Sequence, residues 1–258
     1  MHPHTSYLIM ATPRSGSYLL CENLIRTRLA GNPTEYFGPS QTESIMNYLG
    51  ISSYKQCLDW IITQGTTSNG VFGGKVIWGF HEAFVHHLRE TLDDEELPTH
   101  EILFKAFPNL HYIWITRRDK VRQAISYSKA IKTDAWIDLR NGSSPEATLG
   151  NQQEATFDYW TIEGLRRYLE QHDEEMQQYF ATCSIQPFKV VYEDFVDAFE
   201  ETIKQILDFL HIPRPERLAL GKERTLQKQA NDQSEEWHQR YYQLKQQEER
   251  EIDRTNIQ

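Results

Sequence analysis

Three short segments carry residue types able to meet a polyanion and a hydroxyl group. The first is Pro13-Arg14-Ser15-Gly16-Ser17, directly after the apolar run Tyr7 to Ala11. A strand, a small-residue turn and a helix start are the parts of a phosphate cradle. Backbone N–H groups at a helix N-terminus point at an anion, and the helix dipole favours negative charge there. Gly16 lets the backbone approach closely, Ser15 and Ser17 add hydroxyl donors, and Arg14 presents a planar fork to phosphate or sulfate oxygens. The bland alternative is a serine-capped turn with Arg14 in solvent. The loop is not the ATP or GTP form GxxxxGK(S/T): no lysine precedes a serine or threonine in it, and its cation stands before the glycine.

The second segment is Thr116-Arg117-Arg118-Asp119, which closes another apolar run, with Ser126 on the helical stretch that follows. Strand-end arginines and a nearby serine suit a second phosphate. A nucleotide hydrolase or kinase would place a magnesium-binding acid at such a strand end. Arg118 either supplements the clamp or faces solvent.

The third is Glu35, set among Pro33, Thr34, Tyr36 and Phe37. A carboxylate between proline and aromatic neighbours is placed for a shaped, partly dry pocket, and transfer to an alcohol needs a base within hydrogen-bond reach of the attacking oxygen. The alternative is an ordinary loop glutamate. His81, Glu82 and His86 imitate a zinc motif, but the histidines are five apart. On a helix that leaves their side chains about 140° apart, so no metal site is expected.

The elements that must position these residues follow from periodicity. Apolar runs at Tyr7 to Ala11, Gly74 to Trp78, His111 to Thr116 and Phe188 to Tyr192 read as strands. Helical spacing fills Ser17 to Leu29, Glu82 to Glu90, Lys120 to Ala130, Gln153 to Ala181 and Asp194 to Leu210, and the Gln-rich tail from Gln233 to Glu251 is helix-prone. Strands separated by helix-length segments imply βαβ units and a parallel sheet with helices on both faces. Ligands bind such sheets at the carboxyl ends of the strands, which is where Arg14, Arg117 and Arg118 fall. Arg140 to Pro145 is the clearest loop. The fourth strand lies beyond it, so the chain reads as one domain over residues 1–258.

The net charge of −10 argues against a duplex nucleic-acid binder, while leaving room for a local anion pocket. Three scattered cysteines, Cys21, Cys57 and Cys183, suit reduced thiols in a cytoplasmic protein. No apolar run approaches the ~20 residues of a membrane span.

The loop and its lead-in, Thr5-Ser6-Tyr7-Leu8-Ile9-Met10-Ala11, resemble the 5′-phosphosulfate loop of PAPS-dependent sulfotransferases, most closely the Stf0 family. Arg117 and Ser126 match that family's 3′-phosphate clamp. Glu35 matches its glutamate base, and Gly70 to Trp78 matches a Gly-Gly-Lys segment. Gln229 to Trp237 matches a late segment that closes over the nucleotide. The resemblance runs from about Thr5 to Tyr242 and implies a P-loop-like sulfotransferase fold, PAPS as donor with PAP as product, no metal, a carbohydrate or related hydroxyl acceptor and a homodimer. Arg14, Ser15, Gly16, Ser17, Arg117 and Ser126 are then donor contacts. Glu35 and Arg14 are catalytic, and Pro33, Thr34, Tyr36, Phe37 and Trp78 form the acceptor side. Trp78 is equally suited to the core, and Lys75 either approaches the donor or is structural. Two positions depart from the family loop: Pro13 replaces a glutamine beside the sugar, and Tyr18 replaces a threonine. A nucleotide-binding protein without catalysis, or a small-molecule kinase, is the rival reading.

Overall fold

The structure is a computed structural model and describes residues 3–134, 136, 155–215, 218 and 232–255. Its strands are β1 (Thr5–Ala11), β2 (Val71–Ile77), β3 (Leu110–Thr116) and β4 (Phe188–Val191). Its helices are α1 (Ser17–Thr27), α2 (Pro39–Leu49), α3 (Tyr54–Gly65), α4 (His81–Leu92), α5 (Thr99–Ala106), α6 (Lys120–Thr133), α7 (Tyr159–Thr182), α8 (Tyr192–Asp197), α9 (Phe199–Phe209) and α10 (Asp232–Thr255). The four strands form a parallel sheet in the order β2-β1-β3-β4, as strand and helix alternation predicts.

The chain divides into two compact units, Met1–Arg118 with His172–Gly221, and Asp119–Gln171 with Lys222–Gln258. The first holds the sheet. Successive side chains of a strand point to opposite faces, and both faces are apolar here, as a parallel sheet covered on both sides requires. Leu8 and Met10 of β1 join Tyr112 and Trp114 of β3 in one core, with Ile61 of α3, Phe84 of α4 and Leu103 of α5. Tyr7, Ile9 and Ala11 join Ile113 and Ile115 in the other core, with Leu24 of α1 and Ile206 of α9. Tyr7, Leu8, Ile9 and Met10 are all fully buried; each such side chain contributes on the order of 1.5–3 kcal/mol.

The second unit packs Val121 and Ile125 of α6, Ile162 of α7, and Trp237 and Tyr241 of α10 into a third core. Asp119 caps α6 by accepting from the Arg122 N–H at 2.8 Å. Glu163 accepts from Arg166, Arg167 and the Tyr241 hydroxyl, and the Arg166 guanidinium above all holds its carboxyl far below the usual range.

Several boundaries differ from the sequence pattern. β2 begins at Val71, and Trp78 opens a single 3₁₀ turn instead of ending the strand. The stretch after β4 is two helices, since Ala198 at φ −133°, ψ 44° interrupts the helical backbone. Helices α2, α3 and α5 are additions to the elements expected from the sequence. The Arg140 to Pro145 loop, the first residues of the stretch from Gln153 and the segment Gln229 to Asn231 lie outside the described residues.

His81, the first residue of α4, is 5% exposed and stacks on Trp78 with ring centroids 4.6 Å apart. Burial, with a smaller push from Arg89, lowers it from 6.5 to about 4. The native state therefore keeps His81 neutral while the unfolded chain takes up a proton, so its contribution is present above pH 6.5 and is lost as pH falls towards 4. Urea denaturation across this range should show wild type losing on the order of 2–3 kcal/mol more than His81→Phe.

Candidate active site

The register sets the site. Ala11 pairs with Ile77 on one side and Ile115 on the other, and Thr116 pairs with Val191. The carboxyl ends of the four strands are therefore level, and the segments leaving them meet along one edge.

The turn after β1 is conformationally unusual. Arg14 has φ 62° and Gly16 φ 91°, both left-handed, on either side of Ser15. The left-handed state costs a non-glycine residue on the order of 1–3 kcal/mol and recurs at functional sites. Alternation of handedness is also how successive N–H groups form an anion-binding concavity. Helix α1 opens at Ser17 with Gly16 as N-cap and no side-chain cap. Ser15 is fully buried, and its Oγ has no hydrogen-bond partner among the described residues. A Cβ on Gly16 would overlap the ring of Tyr192, the first residue after β4.

Arg117 leaves β3 and lays its guanidinium over that same ring, 4.9 Å from the centroid. Its Nε is 3.7 Å from Glu193. Arg14 is half-buried, and burial together with the Arg117 cation pushes it down to about 10, still charged at neutral pH. Two like charges are thus gathered beside an orphaned hydroxyl and an uncapped helix start, an arrangement that an anion would stabilise. Arg118 is turned outward: it is exposed, donates from one Nη to both carboxylate oxygens of Asp194 at 2.9 and 2.7 Å, and donates its backbone N–H to Glu193.

Glu35 sits on the segment that returns from α1 to the sheet edge. The Lys75 N–H donates to the Thr34 carbonyl at 2.9 Å, and Lys75 Nζ lies 2.8 Å from Glu35 Oε2. Tyr36 donates its hydroxyl to the Asn32 carbonyl, and burial raises that phenol to about 12. Phe37 stacks on Phe84 at 4.1 Å. This close approach needs Gly74, where a Cβ would meet the Phe37 ring at 2.9 Å. Thr34 is exposed and Glu35 half-buried, while Pro33, Tyr36 and Phe37 are buried. Trp78 is half-buried and donates Nε1–H to Glu175 at 2.8 Å.

Of the residues singled out in the sequence, the first unit brings together Arg14, Ser15, Gly16, Ser17 and Arg117, and it sets Glu35 with its neighbours against β2. Ser126 lies half-buried on α6 in the second unit. Sequence reasoning left out Tyr192 and Glu193; the signal for them is their place at the carboxyl end of β4. His86 and His87 lie exposed on α4 beside Glu90, apart from buried His81.

The profile of the Stf0 sulphotransferase family matches residues 6–244, nearly the whole chain. The chain belongs to this family. It is a sulfotransferase. Similar to it are the trehalose 2-sulfotransferases of Mycolicibacterium smegmatis, at 28% identity over 93% of this chain and 95% of that protein, and of Mycobacterium tuberculosis, at 27% over 91% and 93%. Among solved structures, the sulfotransferase domain of the Synechococcus PCC 7002 olefin synthase has a TM-score of 0.37 and 14% identity, covering 83% of this chain and 76% of that one. Among the described residues no helix is long and apolar enough to cross a membrane.

Gly16→Ala combines a strained φ with overlap on Tyr192, so it should cost on the order of 2–5 kcal/mol in denaturant unfolding. Adding Tyr192→Ala should recover the overlap part and leave the backbone part.

Proposed function

We propose that this Stf0 sulfotransferase moves a sulfuryl group from PAPS to a hydroxyl of a carbohydrate or related small molecule, with Glu35 as the base. The observation that carries the donor half is the pairing of Arg14 with Arg117 beside Ser15 and Gly16. Two guanidinium groups, an orphaned serine hydroxyl and an uncapped helix start fit a group bearing phosphate and sulfate oxygens. Arg14 and the amides of Ser15, Gly16 and Ser17 then face the phosphosulfate, and Arg117 faces the 3′-phosphate. Ser126 enters this reading from the sequence pattern alone.

Glu35 accepts the proton of the acceptor hydroxyl as its oxygen bonds to sulfur. The bond from sulfur to the phosphate oxygen breaks, and PAP leaves with the electron pair. Arg14 and the loop amides meet the negative charge that builds on the sulfuryl and phosphate oxygens, the term that usually contributes most. No step calls for a metal. On the acceptor side, exposed Thr34 and half-buried Trp78 have surface to offer a sugar, and Pro33, Tyr36 and Phe37 hold the segment in place. The trehalose 2-sulfotransferase relatives support a sugar acceptor. Pro13, standing where the family loop has glutamine, sets trehalose itself apart from the general claim.

The family match runs across both compact units, which supports one working sulfotransferase domain over residues 1–258. The family resemblance carries a homodimeric, cytoplasmic form, which size-exclusion chromatography and fractionation would read.

The deciding experiment is transfer of labelled sulfate from PAPS into a metabolite extract, with mass identification of the product. Glu35→Gln should abolish transfer and leave PAP binding intact. Unchanged transfer would remove Glu35 as the base, whereas PAP binding with no transfer by the wild type would leave a nucleotide-binding protein without catalysis. Arg117→Ala should weaken PAP binding by about 10- to 100-fold, the loss of one charge-assisted hydrogen bond, with a smaller effect on adenosine 5′-phosphosulfate. Equal weakening for both would remove Arg117 from the 3′-phosphate.

A further inference from the structure

Lys75 is a central-edge residue of β2 whose side chain is 1% exposed. A buried ammonium has three donors to satisfy and a large desolvation cost. Among the described residues Nζ makes no well-directed hydrogen bond. Two other groups compensate its charge: Glu35 Oε2 at 2.8 Å and the face of the Tyr18 ring, 3.6 Å from Nζ to the centroid. The separation to Glu35 is short, yet the angles are poor, so the contact acts as an ion pair and not as a directed hydrogen bond. The same residue holds the Glu35 segment a second time through its backbone, with its N–H on the Thr34 carbonyl at 2.9 Å. Lys75 therefore fixes both the main chain beside Glu35 and the carboxylate itself. Through Tyr18, in the first turn of α1, it also ties Glu35 to the turn that carries Arg14.

We propose that Lys75 is the positioning residue of the sulfotransferase site: its ammonium holds the Glu35 carboxylate in place, and the Tyr18 ring holds the ammonium. This rests on the reading of Glu35 as base. The arrangement also explains two sequence features together. Gly74 lets the Glu35 segment approach β2, and the aromatic residue at position 18, where the family loop has threonine, supplies a face for the buried cation. A pair of opposite charges at the acceptor side leaves no net charge for an ionic acceptor, which favours an uncharged polyol.

The test is a set of variants, Lys75→Met, Lys75→Arg, Glu35→Gln and the Glu35→Gln/Lys75→Met double change, assayed with PAPS and a panel of neutral disaccharides that includes trehalose. Lys75→Met should lower kcat by about 10- to 100-fold, the scale of a misplaced catalytic group, with KM for PAPS and PAP affinity within about threefold. Lys75→Arg, which keeps the cation, should recover part of kcat. A merely structural lysine would not give this split or this rescue. Lys75→Met with unchanged kcat, while Glu35→Gln abolishes transfer, overturns the proposal and leaves the base reading intact. Full activity in Glu35→Gln overturns the base reading itself.

Thermal melting gives a second readout that needs no acceptor. Glu35→Gln leaves a buried ammonium without its partner and should lower the melting temperature, and adding Lys75→Met should restore it. Additive losses in the double variant would mean that the two side chains do not hold one another, and the proposal falls.

Discussion

The site depends on β1 being paired on both sides. Its neighbours β2 and β3 run parallel to it in fixed register, so Ala11, Ile77 and Ile115 come level. A slip of one residue would turn Leu8 and Met10 into the core now filled by Tyr7 and Ile9, and every buried side chain of the strand would face the wrong partners. Two apolar faces therefore pin the register, and the register brings the Arg14 turn, the Glu35 segment, Arg117 and Tyr192 to one edge.

That edge carries more positive charge than the chain as a whole, whose net charge is −10. Two cations that are taken out of water there have specific companions: Lys75 has Glu35, and Arg117 has Glu193 and the Tyr192 ring. Breaking a buried pair costs more than the pair contributes, so these carboxylates specify where the two cations stand. Arg118 is left in solvent with Asp194. Arg14 lies next to the Arg117 cation, and its half-burial makes that proximity felt.

Much of this was legible in the sequence. The four strands, the anion turn and the strand-end arginines follow from apolar runs and from the rule that ligands bind at strand ends. Other features were hidden for physical reasons. The start of β2 before Gly74 is masked by Gly73, a poor strand former that is present because Tyr7 leaves no room for a Cβ. Helix α2 buries only Thr42 fully and shows Tyr48 to solvent, so its apolar stripe is thin. The break at Ala198 is a matter of backbone angles without a proline or glycine to announce it. Glu35 was readable as a candidate, but its bond to Lys75 joins residues far apart in sequence, which no local pattern encodes.

The strand order has a consequence in time. The outer edge of β3 is completed only by β4, which arrives about 70 residues later in the chain. At about 5–20 residues per second of synthesis, that edge waits roughly 4 to 14 s for its partner. During that wait Leu110 to Thr116, rich in β-branched and aromatic residues, offers a row of unpaired backbone groups to any other strand. That edge stops being available to other strands once β4 pairs with it.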